Sequence, residues 1–423
     1  MGHNGCDYIA EDIEMTNKQA AIKVVKRLRR EGFEALLAGG CVRDMLLGRP
    51  ASDYDVATEA HPQDVMKMFR RTLKVGAKFG VVIVLTEGQQ VEVATFRTEM
   101  GYADGRHPAT VRFASAAEDA SRRDFTINGM FYDPVEHKVI DYVDGQSDLE
   151  RNIIRTIGKP EERFGEDFLR MLRAVRFSTQ LGFVIEPGTF SAIRKNAANI
   201  NRISGERIAT ELEGILVNPN RSAGTALLIE SRLAEAIFPG FAGEQAKCAI
   251  GVLGQLRKNV GFALALAGLF AGCTMEFARQ KWRLLKLSRA QTRHVKFLLG
   301  NRGRLLNAKM SLSELRLIVS EPYFWDLYEL QRAIEKAAGG GRKGLAPLIA
   351  LRKRIKALGD IELRPKPLLN GHDLVRLGAV PGPTLGQLAE EMYIAQLEGK
   401  LQRKEQAEQW VQKWLQKHKM IEK

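Results

Sequence analysis

Two aspartates near the start of the chain have the type and spacing of metal ligands. Asp53 and Asp55 are separated by a single residue, and on a strand that spacing places both side chains on the same face. Two carboxylates placed this way would repel each other unless a cation lay between them. Their hard oxygen atoms suit Mg²⁺, which binds a few carboxylates and keeps its other positions for water and substrate phosphates. The alternative for an isolated Asp-x-Asp is a solvent-exposed turn.

A glycine pair upstream of the aspartates has the features of a phosphate-binding turn. The apolar run Ala35–Ala38 predicts a buried strand, and Gly39 and Gly40 interrupt it so that a short helix can begin. We expect this helix to end at Gly48. Backbone N–H groups are exposed at such a turn, the helix dipole is positive at this end, and Arg43 lies close by. The segment therefore suits a polyphosphate.

A third carboxylate, Glu92, lies in a predicted strand, Val91–Phe96. Its neighbours Val91 and Val93 are apolar, so Glu92 faces the opposite side of the sheet from them. By position alone, two interpretations remain open. Glu92 is either an exposed strand residue or a base that takes the proton from an attacking hydroxyl beside the metal.

A cluster of arginine, carboxylate and amide side chains follows in Ser121–Met130. Arg123, Asp124 and Asn128 surround apolar positions there, and they suit contacts with a triphosphate and a ribose. The alternative is a helix start that is held together by salt bridges. The segment 98–119 before it has no periodicity, which predicts either disorder or a functional loop.

Residues 163–177 predict one continuous amphipathic helix. Its apolar side carries Phe168, Met171, Leu172 and Val175. Its polar side carries Glu166, Asp167, Arg170, Arg173 and Arg176. One interpretation is that these charges form a solvent-exposed helix face with weak ion pairs and have no further role. A functional role requires that this face line a cleft.

An Asp–Arg pair on such a cleft could select nucleotides. Cytosine and adenine each present an amino donor next to a ring-nitrogen acceptor, so a carboxylate can accept from the first while a guanidinium donates to the second. Uracil and guanine present an acceptor next to an N–H donor, and the same pair would meet both with the wrong polarity. One protein surface could therefore admit CTP and ATP and reject UTP and GTP.

The glycine pair, the short helix and Asp-x-Asp together resemble the nucleotidyltransferases of the polymerase beta superfamily. The fuller pattern Gly-Gly-x-Val-Arg-Asp-x-Leu-Leu-Gly at 39–48 is similar to one branch, the bacterial-type (class II) CCA-adding tRNA nucleotidyltransferases and bacterial poly(A) polymerases. Arg-Arg-Asp-Phe-Thr-Ile-Asn at 122–128 is a long match to this family. The chain departs from the pattern at Gly129, where alanine is usual, and we expect this to alter packing rather than chemistry.

Three more motifs carry the resemblance. A flexible-loop motif of the family is matched by Tyr102, Asp104, Gly105, Arg106 and Pro108. Glu-Asp-x-x-Arg at 166–170 resembles the nucleotide-selecting motif of CCA-adding enzymes. Ile203–Ile208 resembles the motif that follows it in the family, with Ser204 at the start of a helix.

The resemblance implies a template-independent RNA nucleotidyltransferase that adds or repairs the tRNA 3′ CCA end from CTP and ATP. It implies a two-metal mechanism in which Asp53 and Asp55 hold two Mg²⁺ ions, and it implies that Glu92 is catalytic. Nucleotide binding is implied for Gly39, Gly40, Arg43, Arg123, Asp124, Asn128, Glu166, Asp167, Arg170, Arg173 and Arg176. The alternatives are a poly(A) polymerase, a partial enzyme that adds only CC or only A, and, from a different class, an inactive RNA-binding relative.

The resemblance also implies an α+β fold, in which a mixed-sheet nucleotidyltransferase head precedes an all-helical neck, body and tail. The domains that we predict are an N-terminal extension at 1–20, a catalytic head at 21–147, a nucleotide-selecting neck at 148–217, a body at 218–360 and an RNA-binding tail at 361–423. The motifs cover 35–216 densely and the remaining chain thinly.

Composition limits the partners and the location of the protein. The 423 residues carry a net charge of +14, which favours a polyanionic partner, most simply nucleic acid. Four scattered cysteines without metal-ligand spacing predict reduced thiols in a cytoplasmic protein. The apolar run Phe262–Cys273 is too short to span a membrane and predicts a buried helix. Nothing in the sequence indicates the oligomeric state.

Overall fold

The computed structural model describes residues 16–74, 80–102 and 108–419. The chain divides into two compact units, the first ending at Ala242 and the second beginning at Gly243. The strands of the described residues are all in the first unit. They are β1 Ala35–Ala38, β2 Asp55–Thr58, β3 Thr72–Leu73, β4 Val81–Thr86, β5 Gln89–Thr95, β6 Arg97–Tyr102, β7 Pro108–Phe113, β8 Phe131–Asp133, β9 Lys138–Ile140, β10 Ile153–Ile154 and β11 Val184–Ile185.

Seven of these strands form the central sheet, in the order β3-β4-β5-β2-β1-β8-β9. The sheet is mixed, because β2 and β5 run parallel while the other neighbours are antiparallel. β6 and β7 form a separate antiparallel pair, and β10 and β11 a short parallel one. The mixed-sheet head domain that the sequence predicts is therefore confirmed.

Eleven α-helices lie in the described part of the first unit. They are α1 Asn17–Arg30, α2 Gly40–Leu46, α3 Pro62–Met68, α4 Ala116–Ser121, α5 Gly145–Glu150, α6 Pro160–Glu166, α7 Leu169–Leu181, α8 Pro187–Asn196, α9 Gly205–Leu216, α10 Arg221–Glu230 and α11 Leu233–Ile237. α1 is amphipathic, with Ala21, Val24, Val25 and Leu28 buried, and Thr16 caps its first turn.

The two faces of the central sheet have different roles. Along β5, Val91 and Val93 are buried, whereas Glu92 between them is exposed on the other face. α1 packs against β1, β2 and β5, and its apolar stripe needs an apolar surface to cover. We infer that α1 covers the face of Val91 and Val93. The opposite face, with Glu92 and Ala94, is left to line a cavity.

The second unit, as far as it is described, is all-helical. Its helices are α12 Gly243–Gln255, α13 Phe262–Leu269, α14 Met275–Leu284, α15 Arg289–Gly300, α16 Leu312–Val319, α17 Phe324–Ala337, α18 Gly341–Ala357, α19 Gly371–Arg376, α20 Pro383–Leu397 and α21 Lys404–Lys419. Every residue of α13 is buried, as predicted. Among the described helices none has the length and apolar character needed to cross a membrane.

The segment 98–119 differs from its prediction. It contains most of β6, all of β7 and the start of α4 rather than a loop, and Ser115 caps α4 with Glu118 in a capping box. The hairpin is held by pairing between β6 and β7, and such strand pairing leaves little trace in a short polar sequence. The centre of the flexible-loop motif, 103–107, lies outside the described residues.

Candidate active site

A cavity of about 690 Å³ opens on the face of the sheet that carries Glu92. Thirteen of the fourteen residues predicted for the site line it, although they come from five separate parts of the sequence. They are Gly39, Gly40, Arg43, Asp53, Asp55, Glu92, Arg123, Asp124, Asn128, Asp167, Arg170, Arg173 and Arg176. Glu166 is the exception and lies behind the cavity wall, where it bonds Arg163 and Arg170.

The turn from β1 to α2 depends on Gly39. Its φ of +76° is a left-handed backbone conformation that favours glycine. A Cβ at this position would also lie only 2.8 Å from the Arg123 Nη1 atom. The bend brings Arg43 to Asn128, whose side-chain oxygen accepts a 2.7 Å hydrogen bond from the Arg43 guanidinium. Residues 85 positions apart thus share one wall of the cavity.

The three predicted carboxylates also line the cavity, but only Asp55 of the two aspartates is in a strand. β2 begins at Asp55, and Asp53 lies in the loop before it, so the prediction of one strand face for both is wrong. β2 and β5 pair with Val56 opposite Val93. Asp55 and Glu92, one residue earlier in each parallel strand, therefore lie side by side on the cavity face.

Asp55 has an unusually high pKa for an aspartate. Although it is open to the cavity, surrounding protein removes part of its hydration, and the carboxylates of Glu92 and Asp53 oppose its ionisation. Together these effects raise the pKa of Asp55 to about 6, against a smaller opposing effect of Arg123. A cation beside these carboxylates would relieve the repulsion.

The donor set fits Mg²⁺ better than a metal that needs a complete protein cage. In the part of the chain that the structure describes, no three or more His, Cys, Asp or Glu side chains are grouped so that they could enclose a metal ion. Mg²⁺ needs only one or two carboxylates when water and phosphate oxygens supply the rest. Asp53 and Asp55 provide such a partial set.

Asp124 forms part of a buried polar network. Its carboxylate accepts hydrogen bonds from Arg173 at 2.7 Å and from the Asn128 amide at 3.2 Å. Burial alone would raise the pKa of Asp124, but the Arg173 charge and these hydrogen bonds outweigh it and lower the pKa. Arg123 is held in the same way by Asp119. Salt bridges, the alternative interpretation of the segment Ser121–Met130, are therefore present and hold these side chains in place.

The helix predicted at 163–177 is broken at Asp167. α6 ends at Glu166, Asp167 is extended with φ −147° and ψ 106°, and α7 begins at Leu169. One carboxylate oxygen of Asp167 accepts the Leu169 N–H at 2.9 Å. A short acidic side chain that bonds the backbone two residues ahead favours a turn over a continuous helix. The single-helix prediction is therefore wrong.

Because of this break, Asp167 and Arg170, the two candidates for base selection, do not lie on one helix face. The second Asp167 carboxylate oxygen accepts from Arg207 of α9 at 2.7 Å. Arg170 is almost fully buried and bonds Glu166 together with the Arg163 carbonyl oxygen, the latter at 3.0 Å. Glu166 thus fixes Arg170, so the prediction that Glu166 is itself at the nucleotide site is not supported by its position.

Four charged or aromatic residues of the cavity lining were not predicted for the site. They are Arg97, Arg122, Phe177 and Arg207. Arg207 lies in the Ser-Gly-Glu-Arg motif, which the sequence did signal as a helix start. Phe177 carries no such signal, yet the guanidinium groups of Arg43, Arg173 and Arg176 lie 4.3–5.2 Å from the centre of its ring.

The cavity is strongly basic overall. Eight arginines and five carboxylates line it. Guanidinium groups in a fork geometry match phosphate oxygens, and a surplus of them with nearby carboxylates suits a triphosphate bound together with a divalent cation. The arrangement can therefore hold a nucleoside triphosphate at the sheet face that carries Asp55 and Glu92.

Family comparisons agree with this geometry. Residues 35–155 match the model of the poly A polymerase head domain. Residues 182–244 match the model described as a probable RNA and SrmB binding site of polymerase A. The first match includes the glycine turn and the three carboxylates.

The chain is also similar over nearly its whole length to proteins named CCA-adding enzymes. It is 36% identical over 395 residues to the CCA-adding enzyme of Lacticaseibacillus paracasei, which covers 92% of this chain and 94% of that protein. A Bacillus stearothermophilus CCA-adding enzyme solved in complex with CTP superposes with a TM-score of 0.80 at 30% identity, over 96% of this chain and all of that one. The Thermotoga maritima CCA-adding enzyme complexed with tRNA shares the fold, with a TM-score of 0.67 at 20% identity over 95% and 97% of the two chains.

Proposed function

This chain belongs to the family of bacterial CCA-adding tRNA nucleotidyltransferases and poly(A) polymerases, and we propose that it adds or repairs the 3′-terminal CCA of tRNA from CTP and ATP. The observation that carries the proposal is the single basic cavity that gathers the glycine turn, the three carboxylates and the Asp167–Arg170 pair. The relatives over nearly full length are CCA-adding enzymes, which favours this activity over the alternatives.

The basic side of the cavity binds the triphosphate and the ribose. Arg43 and Arg123 are fixed by their partners Asn128 and Asp119, so little side-chain entropy is lost when they contact phosphate. Gly39 allows a close approach of the backbone, since it has no Cβ. Arg173 and Arg176 extend this surface along α7 and pack against the Phe177 ring.

The carboxylate side of the cavity carries the chemistry. Asp53 and Asp55 would hold Mg²⁺, which on binding supplies charge stabilisation for the attacking oxygen and the leaving pyrophosphate. The RNA 3′ hydroxyl oxygen attacks the α-phosphorus of the nucleotide, the bond to the pyrophosphate breaks, and Glu92 takes the hydroxyl proton. Glu92 suits this role because it lies beside Asp55 on an exposed sheet face.

Asp167, in the break between α6 and α7, and Arg170, in the first turn of α7, select the base. Each carboxylate oxygen of Asp167 accepts one protein hydrogen bond, and since an oxygen has two acceptor positions, either one can still accept from an amino group of cytosine or adenine. Arg170 donates through Nη1 to Glu166 and the Arg163 carbonyl oxygen and through Nη2 to the Arg122 carbonyl oxygen. A guanidinium has five N–H groups, so Arg170 retains donors for a base.

The four-part division into head, neck, body and tail remains part of the proposal, and so does a cytoplasmic location. The neck at 148–217 contributes Asp167 and residues of α7 and α9 to the nucleotide cavity. The body and tail would bind tRNA by its shape and its phosphates, because one enzyme must serve many tRNA sequences.

The activity is tested by incubating the protein and Mg²⁺ with a tRNA that lacks its CCA end, supplying CTP, ATP, both, UTP or GTP, and sequencing the products. Two Cs with CTP alone and a completed CCA with both nucleotides support the proposal. Long A tracts from ATP alone, on tRNA and unrelated RNA alike, would identify a poly(A) polymerase. Addition of only CC or only A would identify a partial enzyme, and no extension an inactive relative.

A further inference from the structure

Helix α18, in the second unit, has an unusual charge pattern. It carries six cations, Arg342, Lys343, Arg352, Lys353, Arg354 and Lys356, and no Asp or Glu. Ile349, Arg352, Lys353 and Lys356 recur at spacings of three and four, so they form one stripe along the helix. Arg352, Lys353 and Lys356 are exposed. A row of like charges repels itself, and it persists most simply where a polyanion binds.

The carboxylates of the neighbouring helix do not neutralise this stripe. α17 has three acidic residues, and each of them bonds a residue outside α18. Asp326 bonds Arg257 at 2.8 Å, Glu329 bonds Arg332 at 2.6 Å, and Glu335 accepts from Gln331 at 2.9 Å. Over the described residues, Arg352, Lys353 and Lys356 form no ion pair, whereas most cations of the first-unit cavity do.

An exposed tryptophan and a half-buried tyrosine lie beside the stripe. Trp325 is 54% exposed, and its ring lies 5.9 Å from that of Tyr328. The Tyr328 hydroxyl donates to the Leu348 carbonyl oxygen of α18 at 3.3 Å, which fixes the two helices at this point. The other tryptophans, Trp282, Trp410 and Trp414, are buried or half-buried in helical cores. Trp325 is therefore the most exposed of the four tryptophans.

These residues line a groove of about 630 Å³ between α17 and α18. Trp325, Tyr328 and Ile349 supply flat apolar surface, and Arg352, Lys353 and Lys356 supply positive charge beside it. We propose that this groove binds single-stranded or looped RNA, with an unstacked base on Trp325 and the adjoining phosphates on the three cations. Unpaired bases are the ones that can be splayed onto an aromatic side chain, and the ring face tolerates any base.

The occupant that we infer is RNA rather than protein, because the groove joins apolar rings to uncompensated positive charge. If the proposed function holds, the RNA bound in the groove is a loop or single-stranded end of tRNA. Only this identification of the RNA as tRNA rests on the proposed function. Binding is measured without nucleotides. A chain that binds RNA here but adds no nucleotide would refute the proposed function and leave the groove assignment standing.

Fluorescence of Trp325 tests the stacking directly. The full-length protein is titrated with a tRNA transcript lacking CCA and with a single-stranded RNA of about 12 nucleotides. We expect quenching of the exposed tryptophan, which Trp325→Phe abolishes while retaining an aromatic ring and most of the affinity. Trp325→Ala weakens RNA binding by about 10-fold. Equal quenching in wild type and Trp325→Phe, with unchanged affinity in Trp325→Ala, would overturn the proposal.

The salt dependence of binding tests the phosphate contacts. The triple variant Arg352→Gln, Lys353→Gln, Lys356→Gln should reduce the slope of log affinity against log salt by about 2. Its matched control, Lys23→Gln, Arg27→Gln, Lys67→Gln, removes the same charge at exposed positions of the first unit, outside the body and tail, that already pair with carboxylates, and it should leave the slope unchanged.

Two outcomes would contradict the assignment. Equal slopes for the two triple variants would mean that α18 contributes only to the general positive charge. Sedimentation that changes from dimer to monomer on Trp325→Ala, with unchanged RNA affinity, would make the groove an interface between copies of the chain. Normal circular dichroism and thermal unfolding of each variant establish that it is folded.

Discussion

Arg207 donates a hydrogen bond through Nη2 to the Asp167 carboxylate at 2.7 Å, across 40 residues of chain. The pair is partly buried, with 23% and 18% of the two side chains exposed. Because Asp167 lies outside both α6 and α7, no helix fixes its side chain. Its orientation depends on the Leu169 N–H and on Arg207.

We therefore expect Arg207→Gln to relax base selection more than it lowers the rate. Without the guanidinium, the Asp167 carboxylate can rotate, and the preference for CTP over UTP should fall roughly 10-fold, equivalent to about 1.4 kcal/mol. The measurement is kcat/KM for each nucleotide on tRNA lacking CCA. Arg194→Gln, an exposed change on α8, is the control, and an equal loss with CTP and UTP would contradict a positioning role.

Replacing both candidate metal ligands should separate chemistry from RNA binding. Asp53→Ala with Asp55→Ala is expected to abolish nucleotide incorporation and to leave tRNA affinity within about 2-fold, because the bulk of RNA binding comes from cationic side chains elsewhere. Gel-based extension and filter binding measure the two properties. Asp64→Ala, a surface carboxylate of α3, is the control. Extension at the parental rate by the double variant would refute the two-carboxylate assignment.

The raised pKa of Asp55 predicts a pH-dependent metal affinity. Mg²⁺ binds the carboxylate form, so below about pH 6 binding must displace a proton. Apparent Mg²⁺ affinity should fall by up to about 10-fold per pH unit in this range and level off above it. Calorimetry in buffers of different ionisation enthalpy measures the released proton. Asp55→Asn should bind weakly at every pH, and a pH-independent wild-type affinity would contradict the prediction.

The same pKa gives a stability prediction for the metal-free protein. The folded pKa of Asp55, about 6, exceeds the ordinary value of 3.8, so the folded state favours the protonated form. Its contribution to stability is complete below about pH 3.8 and is lost as the pH rises through about 6. Asp55→Asn should therefore raise the Tm at pH 7 but not at pH 4. A higher Tm only at pH 4 would reverse the sign and refute the argument.

Local sequence patterns predicted the parts of the site that depend on short-range backbone geometry. The apolar run before Gly39 gave β1, the glycine pair gave the turn into α2, and alternation around Glu92 gave its sheet face. These features depend on residues close in sequence. The residues that they bring together, such as Arg43 and Asn128, are joined only by tertiary structure, and the family resemblance was needed to predict their common site.

Sequence reasoning failed where a side chain competes with the backbone. The 3.6-residue period runs through 163–177, yet Asp167 bonds the Leu169 N–H and breaks the helix. Periodicity does not detect this competition. Nor does it show that Glu166 faces Arg163 and Arg170, since ion pairs among neighbouring charges admit several arrangements. Strand pairing of β6 with β7 escaped detection for a related reason, because a hairpin is stabilised across the pair.

Arg173 and Asp124 should show strong energetic coupling. Only 11% of the Asp124 side chain is exposed. Arg173→Ala would leave this largely buried carboxylate without its main partner and should cost roughly 2 kcal/mol of stability. The double variant Arg173→Ala with Asp124→Asn should lose less stability than the two single variants lose in total. Urea unfolding gives the coupling, and the exposed pair Lys159–Glu162 should show almost none. Additive losses at Arg173 and Asp124 would contradict the prediction.

The pH dependence of this pair has the opposite sign from that of Asp55. The pKa of Asp124 is lowered in the folded state, so its stabilising effect is present above its ordinary pKa and is lost as the pH falls through the folded value. The coupling to Arg173 should accordingly be complete at pH 7 and should weaken only in acid. Coupling that grew as the pH fell would contradict this.

Gly129 tests whether packing alone explains the glycine at the position where the family usually has alanine. Its φ of −89° is open to any residue, and replacing glycine by alanine limits the unfolded chain, which by itself would stabilise the protein by about 0.4–1 kcal/mol. The neighbours decide the outcome. An alanine Cβ would lie 2.6 Å from Val143 Cγ2 and 3.0 Å from Ile157 Cδ1, and such overpacking costs about 1–3 kcal/mol.

We therefore expect Gly129→Ala to lower the Tm, and Gly129→Ala with Val143→Ala to recover most of the loss, because the second change removes the methyl group that the new Cβ would meet. Val143→Ala alone, as the matched control, should be destabilising. The deciding quantity is the difference between the Tm change of the double variant and the sum of the Tm changes of the two single variants. A stabilising Gly129→Ala, or losses that simply add in the double variant, would show that Val143 moves aside freely and that its contact does not determine the residue at 129.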